Sequence, residues 1–531
     1  MLHTGIIPVE GEIEIGNKLE IVERLAVADG DNELGRRQTI EYVLRPRDEP
    51  ICFADEGLTQ GYLVFGRPGQ GKTYFIRKIL AQLLAHRDED RALRYGGLII
   101  DPKADYPEFV AGIVKKLNRK ELVTVFIGPG AKPINILHCG LSPENLARII
   151  SATCSALAKG ADEYFHNNLT VVLSGILVSK NILARHDGRG DAPTLSMLLD
   201  TLCGSSTIDG QRKRNLELHI EVIDRLLRVT APAAPERRRP GPFAPKGLPR
   251  PPGQVPAFST EERAELSRCA DDLRAFLKEE KSYVVVQLFK QAFEAIQRLD
   301  FLSGKSRIND VNLYDDIINN GRVVLVSIPP SETYASAVFT LMKNIFQKVV
   351  LDRFARFDRT PGATRAITSD KRPVFLICDE YHLSASDSPK VGVGDSTFLS
   401  LARTFGCFTL LATQGLEQLK TSALAERWEA VLGLLAAKIF FPLGDNSTAE
   451  LASDLGGEQD SLFRGESLNE ARDGRSWGSS DQLTQRRDLP KYVVLRSIKR
   501  GEAAIVGTLD GLSKSSVHVV SIGEHPPWMR I

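Results

Sequence analysis

With 531 residues, 42% of them hydrophobic and 25% charged, the chain has room for two or three domains with cores of their own, which excludes a disordered or fibrous protein. Its 68 basic residues face 67 acidic ones, so no global charge marks it as a nucleic-acid binder, and any such contact falls to local loops. Seven scattered cysteines at no short spacing exclude a zinc or redox motif and read as reduced, buried thiols.

In chain order, the first sixty residues alternate apolar and polar positions over Gly11 to Ile15 and Thr39 to Leu44, which predicts a small N-terminal β segment (1–60). Met1 to Asn17 lacks the basic-then-apolar order of a signal peptide. Tyr62-Leu63-Val64-Phe65 then reads as a buried strand entering a glycine-rich loop, and Phe75, Ile76, Ile79, Leu80 and Leu83 follow at helical spacing. Leu98-Ile99-Ile100 and Leu122 to Ile127 add further buried strands, so 61–140 reads as the first part of an α/β domain around a parallel sheet.

Strand signals fade between 141 and 320, where Leu169, Val172, Leu173, Ile176 and Leu177, then Leu266, Cys269, Leu273, Phe276 and Leu277, repeat at helical intervals. This predicts an all-α insertion. Leu169 to Val178 is the longest apolar run, well short of the roughly 20 residues that span a bilayer, so a soluble, cytoplasmic protein is expected. Pro193 and Gly204 bracket another short helix. The proline-rich stretch 231–256 reads as a flexible loop with Arg237, Arg238 and Arg239 in solvent. Strands return at Val323 to Ile328, Val374 to Cys378, Phe408 to Ala412 and Lys438 to Phe441, so 321–531 resumes the α/β domain and ends in a β segment.

Gly66-Arg67-Pro68-Gly69-Gln70-Gly71-Lys72-Thr73, with Tyr74 behind it, has the spacing of a phosphate-binding P-loop in the required place, after a strand and opening a helix. Its glycines let backbone N–H groups close around phosphates, Lys72 is expected to reach the β and γ phosphates of ATP, and Thr73 to hold Mg²⁺. Val374 to Cys378 ends in Asp379-Glu380. Joined to the P-loop, Asp379 is expected to hold Mg²⁺ through its shell and Glu380 to take a proton from the attacking water; alone, the pair would read as a solvated strand end or cap. Gln414 ends the next strand and either orients water, senses the γ phosphate or makes an ordinary strand-end hydrogen bond. Arg403 is either an arginine finger for a neighbouring subunit or a surface arginine. Asp101-Pro102-Lys103 reads as a solvated strand end, and His382 as a polar neighbour of the acidic pair.

With these elements in order, the chain resembles the conjugative coupling ATPases of the TraD/TraG type, relatives of the FtsK and HerA DNA motors. The likeness rests on Gly97 to Tyr106 (GLIIDPKADY), Thr124 to Leu137, Glu163 to Leu202, Asp315 to Pro330, Phe375 to Leu419 and Lys438 to Gly457 (KIFFPLGDNSTAELASDLGG). Ser447-Thr448-Ala449-Glu450 in the last stretch also reads as a capping box. The resemblance implies a RecA-like P-loop domain with an inserted all-α domain. It further implies a hexameric DNA translocase that depends on ATP and Mg²⁺, with DNA in a central pore and Arg403 completing the next subunit's site. Secretion-channel or relaxosome partners would place it at the inner face of the membrane. Three features depart from the family: no transmembrane segment, Arg67-Pro68-Gly69-Gln70 where Thr-Gly-Ser is common, and the proline-rich loop. A HerA-like motor working with a nuclease in repair or defence, and an ATP-controlled module that recruits protein cargo, are the alternatives.

Overall fold

A computed structural model of the protein describes residues 13–27, 38–54, 57–86, 94–117, 125–129, 131, 134–158, 163–186, 193–208, 211–229, 258–297, 312–353, 372–388, 392–471, 474–509 and 516–523. The expected proline-rich loop lies outside them. The strands are β1 (Ile13–Val27), β2 (Gln38–Phe53), β3 (Gly61–Phe65), β4 (Gly96–Ile100), β5 (Val125–Ile127), β6 (Ser205–Ile208), β7 (Gln211–Arg214), β8 (Val323–Val326), β9 (Val374–Cys378), β10 (Asp387–Ser388), β11 (Val393–Gly394), β12 (Cys407–Thr413), β13 (Ala437–Phe440), β14 (Glu458–Ala471), β15 (Gly474–Arg487), β16 (Glu502–Gly507) and β17 (Ser516–Ser521). The first nine helices are α1 (Lys72–Ala85), α2 (Pro107–Lys116), α3 (Pro143–Leu157), α4 (Glu163–His186), α5 (Leu195–Cys203), α6 (Asn215–Val229), α7 (Thr260–Lys278), α8 (Ser282–Gln297) and α9 (Ala335–Leu351). They fall into two compact units.

The first unit gathers Met1–Asp88, Phe408–Thr421 and Leu432–Ile531, with strand order β2-β1-β17-β16-β13-β3-β12. β3 lies between two parallel neighbours, Phe65 pairing with Thr413 of β12 and Phe440 of β13, while the strands beyond β13 run antiparallel. Every residue of β3 is buried, which is why Gly-Tyr-Leu-Val-Phe is an unbroken apolar run rather than an alternating one. Phe75, Ile76, Ile79, Leu80 and Leu83 of α1 are fully buried, as their spacing predicts. Lys78 ties the same helix to the antiparallel strands, donating to Glu14 Oε1 at 2.9 Å and to the carbonyl of Ile522 at 3.0 Å.

The second unit comprises Glu89–Cys407 and Ser422–Val431, and its strands β9-β4-β8-β5 are all parallel. Helices α3 to α8 form the insertion. Leu169, Val172, Leu173 and Ile176 of α4 are fully buried, and Gly175 between them lets Leu273 of α7 approach to where a Cβ would meet it at 3.2 Å. A Leu173→Ala change in such a core costs about 2–5 kcal/mol. Thr194 caps α5 by accepting from Met197 N, and Gly204 follows its end, as the flanking signals predict. Among the described residues the insertion is helical apart from the short hairpin β6–β7. Its side chains are mostly exposed, so no apolar alternation announces it.

All seven cysteines are free thiols. Burial pushes the thiols of Cys203 and Cys378 up to about 12, which keeps them protonated and unreactive.

Candidate functional site

Parallel strands deliver the residues that follow them to one edge of a sheet, and each unit uses this edge differently. In the first unit the segments after β3, β12 and β13 emerge side by side: the glycine loop 66–71, Gln414, and Phe441 to Asp445. Gly69 (φ 77°) and Gly71 (φ 112°) take left-handed backbone angles that a side chain would resist. Gly66 is required for a different reason, since a Cβ there would sit 2.6 Å from Cβ of Phe441. Gly71 is also the N-cap of α1 and offers no side-chain cap, so the first-turn N–H groups and the positive end of the helix dipole face the loop.

Lys72, 4% exposed, donates its ammonium to the carbonyls of Gly66 and, at 3.3 Å, of Arg67. Thr73 is half-buried and Tyr74 beside it is exposed. The unusual Arg67 has a packing role: its N–H donates to Pro442 O at 3.2 Å and its side chain crosses Gly444, where a Cβ would meet Arg67 Cδ at 2.5 Å. Pro68 is exposed, and the carbonyl of Gln70 accepts from Gly501 N at 3.2 Å. Gln414 stands beside the loop with its carboxamide oxygen accepting from Gln418 Nε2 at 3.1 Å. The expected capping box at Ser447 is not formed. Asp445 is the N-cap instead, accepting from Thr448 N at 2.7 Å, and Glu450 pairs with Lys491 because it points outward.

In the second unit the edge is acidic. Asp101 follows β4 and Asp379 follows β9, adjacent strands in register from Gly96–Val374 to Ile100–Cys378. Both carboxylates are fully buried, which corrects the expectation that Asp101 is a solvated strand end. The chain wraps around it: Asp101 accepts from the backbone N–H groups of Lys103 (3.2 Å), Asp105 (3.2 Å) and Tyr106 (3.0 Å), a turn that needs Ala104 at φ 56°. Burial raises the Asp101 carboxyl above its usual range, the three N–H donors partly offset this, and the charge of Asp379 adds to the rise. Tyr106 Oη lies 3.4 Å from Asp379 Oδ2.

Glu380, 4% exposed, takes a left-handed backbone (φ 51°, ψ 51°). Its carboxylate is ion-paired with Lys103, and His382 Nδ1 lies 3.8 Å from the other oxygen, the neighbour the sequence predicts. Burial alone would lower the Lys103 ammonium, but Glu380, Asp379 and Asp105 together hold it above its ordinary value. Arg403 is exposed just after the helix Asp395–Ala402 and makes no ion pair among the described residues.

Lys72, Thr73 and Gln414 are thus gathered at the strand ends of the first unit, and Asp379 and Glu380 at the strand ends of the second. Sequence reasoning missed a buried polar cluster behind Glu380, formed by Lys343, Gln347, Tyr381 and Asp395. A signal existed: Lys343 and Gln347 are four residues apart on the apolar face of α9, where a lysine is out of place unless it is paired.

Residues 389–500 match the family model described as the TraM recognition site of TraD and TraG. No curated protein matches the sequence. Among solved structures, the bacterial conjugative coupling protein TrwBdeltaN70 in its unbound monoclinic form aligns with a TM-score of 0.55 at 11% identity, over 90% of this chain and 88% of that one. TrwB in complex with ADP and Mg²⁺ aligns with a TM-score of 0.52 at 12% identity, over 89% and 87%. TrwB with the non-hydrolysable GTP analogue GDPNP gives 0.51 at 11%, over 89% and 88%. The chain therefore has the RecA-like α/β fold that the sequence predicts, with inserted helices and N-terminal strands. No described helix is long and apolar enough to cross a membrane.

Proposed function

We propose that the chain is a coupling-protein-like ATPase that uses ATP and Mg²⁺ to move or deliver DNA. The observation that carries this reading is the glycine loop of the first unit: left-handed glycines, an uncapped helix N-terminus and a buried lysine together make a cradle for a triphosphate. In this reading Gly66 to Tyr74 bind the nucleotide, Lys72 neutralises the β and γ phosphates, and Thr73 and Asp379 hold the metal. Glu380 takes the proton of the attacking water, Gln414 orients that water, and Arg403 completes a neighbour's site in a homo-hexamer. The TrwB complexes with ADP and Mg²⁺ support the choice of ligand.

Phosphate release measured with and without single- and double-stranded DNA tests both parts. Replacing Lys72 by Ala is expected to reduce turnover at least about a hundred-fold; an unchanged rate would overturn the site. A rate indifferent to both DNAs, with no binding at low salt, would remove DNA from the reading.

The match over 389–500 favours a second element, recognition of a partner protein of the TraM kind by this stretch. Pull-down of such a partner by the full chain, with the Lys72→Ala variant as control, separates this from the motor. Capture that persists without hydrolysis assigns it to the surface rather than to ATP turnover.

A further inference from the structure

The backbone of Glu380 occupies a left-handed region that a non-glycine residue adopts only at a cost. Such a conformation persists only where its surroundings enforce it. Lys103 holds the tip of the side chain, but an ion pair on a flexible lysine does not fix the peptide. The peptide's own N–H donates to Asp379 Oδ1 at 3.0 Å and its carbonyl accepts from Leu383 N at 2.9 Å, and the next residue anchors this turn in the core. Tyr381 is fully buried, and its hydroxyl donates to Asp395 Oδ2 at 2.5 Å. The same carboxylate accepts from Lys343 Nζ on both oxygens at 2.5 Å, from Gln347 Nε2 at 2.6 Å and from Ser386 N at 3.0 Å. Lys343 also lies over the Tyr381 ring, 5.6 Å from its centroid.

A charged pair sealed in a core contributes little net stability beside an apolar replacement, because desolvation offsets the attraction. Its distinctive property is directional: Asp395 accepts the Tyr381 hydroxyl along a fixed line, and Lys343 and Gln347 of α9 fix Asp395. We infer that Asp395, held by Lys343 and Gln347, is a positioning device for Glu380, acting through the Tyr381 hydroxyl to aim the carboxylate. The inference rests on the reading of Glu380 as the group that activates water.

The test compares three variants of the full chain for MgATP turnover, nucleotide affinity and melting temperature. Tyr381→Phe removes one hydroxyl and keeps the ring. Gln347→Met removes one donor to Asp395 together with an amide oxygen, Oε1, that has no partner among the described residues, so this variant is expected to stay folded. Because small misplacements of a reacting group cost up to about a hundred-fold, Tyr381→Phe is expected to lower kcat about ten-fold or more and Gln347→Met about two- to five-fold. Both should leave KM and the affinity for MgATP unchanged, a split that a merely structural role does not produce. Glu380→Gln is the reference. If it abolishes turnover while folded Tyr381→Phe and Gln347→Met keep the parent kcat, the positioning role is overturned and the reading of Glu380 stands. If Glu380→Gln itself retains full turnover, the reading falls and the inference with it. Should Tyr381→Phe fail to fold, Gln347→Met decides by the same criterion.

Discussion

The two strand-end clusters solve opposite problems. At the glycine loop it is the backbone that is exposed, so the loop is built by omission: no Cβ at Gly66, where Phe441 leaves no room, and none at Gly69 and Gly71, where the angles forbid it. At the acidic strand ends the side chains are what is gathered, and non-glycine residues are forced into left-handed angles at Ala104 and Glu380 by what surrounds them. One edge is made of freedom the sequence grants, the other of strain that the packing imposes.

The largest expected effects break this comparison directly. Lys72→Ala should remove both tight ATP binding and turnover, whereas Glu380→Gln should leave binding intact and lower turnover by about 10²–10⁴-fold; equilibrium binding of a fluorescent ATP analogue beside phosphate release checks both. If Glu380→Gln loses binding instead, the acidic edge serves the nucleotide's grip rather than its chemistry. Next come the two structural probes. Asp101→Asn replaces one of the oxygens that the turn N–H groups and Ser327 converge on, and should cost about 1–3 kcal/mol in urea unfolding. Gly66→Ala should cost a similar amount, about 1–3 kcal/mol, through overpacking against Phe441, and a melting temperature equal to the parent's would show that the close approach does not constrain the loop. The smallest effect has the opposite sign. Ala104→Gly relieves a left-handed residue on an exposed turn and should stabilise by roughly 0.5–1 kcal/mol; a loss would mean that the turn is not strained.

The same contrast explains what the sequence displayed. The glycine loop was legible because its chemistry is local, eight consecutive residues between a strand and a helix. Asp379-Glu380 was legible because an apolar strand ends there. The burial of Asp101 was not, since it depends on a turn that folds Asp105 and Tyr106 back over the carboxylate, and a strand-end Asp-Pro-Lys looks the same whether that turn closes or opens to water. Lys343 and Asp395 were invisible for a related reason: they lie 52 positions apart in sequence, and only the packing of α9 against the helix Asp395–Ala402 makes them partners. The misplaced cap at Ser447 shows the limit of local pattern too, because Asp445 two residues earlier had the better geometry to accept from Thr448 N.

The order of strands in the first unit also bears on how the chain comes to be folded. β3, which holds the glycine loop, is flanked by β12 and β13, and β1 pairs with β17 near the far end of the described chain. A ribosome therefore releases the glycine loop long before the strands that support it. Pairings so distant close slowly and expose unpaired edges meanwhile. During synthesis β1, β2 and β3 must wait while the helical insertion, whose own contacts are closer in sequence, is made, so the first unit is expected to be the last part of the molecule to mature.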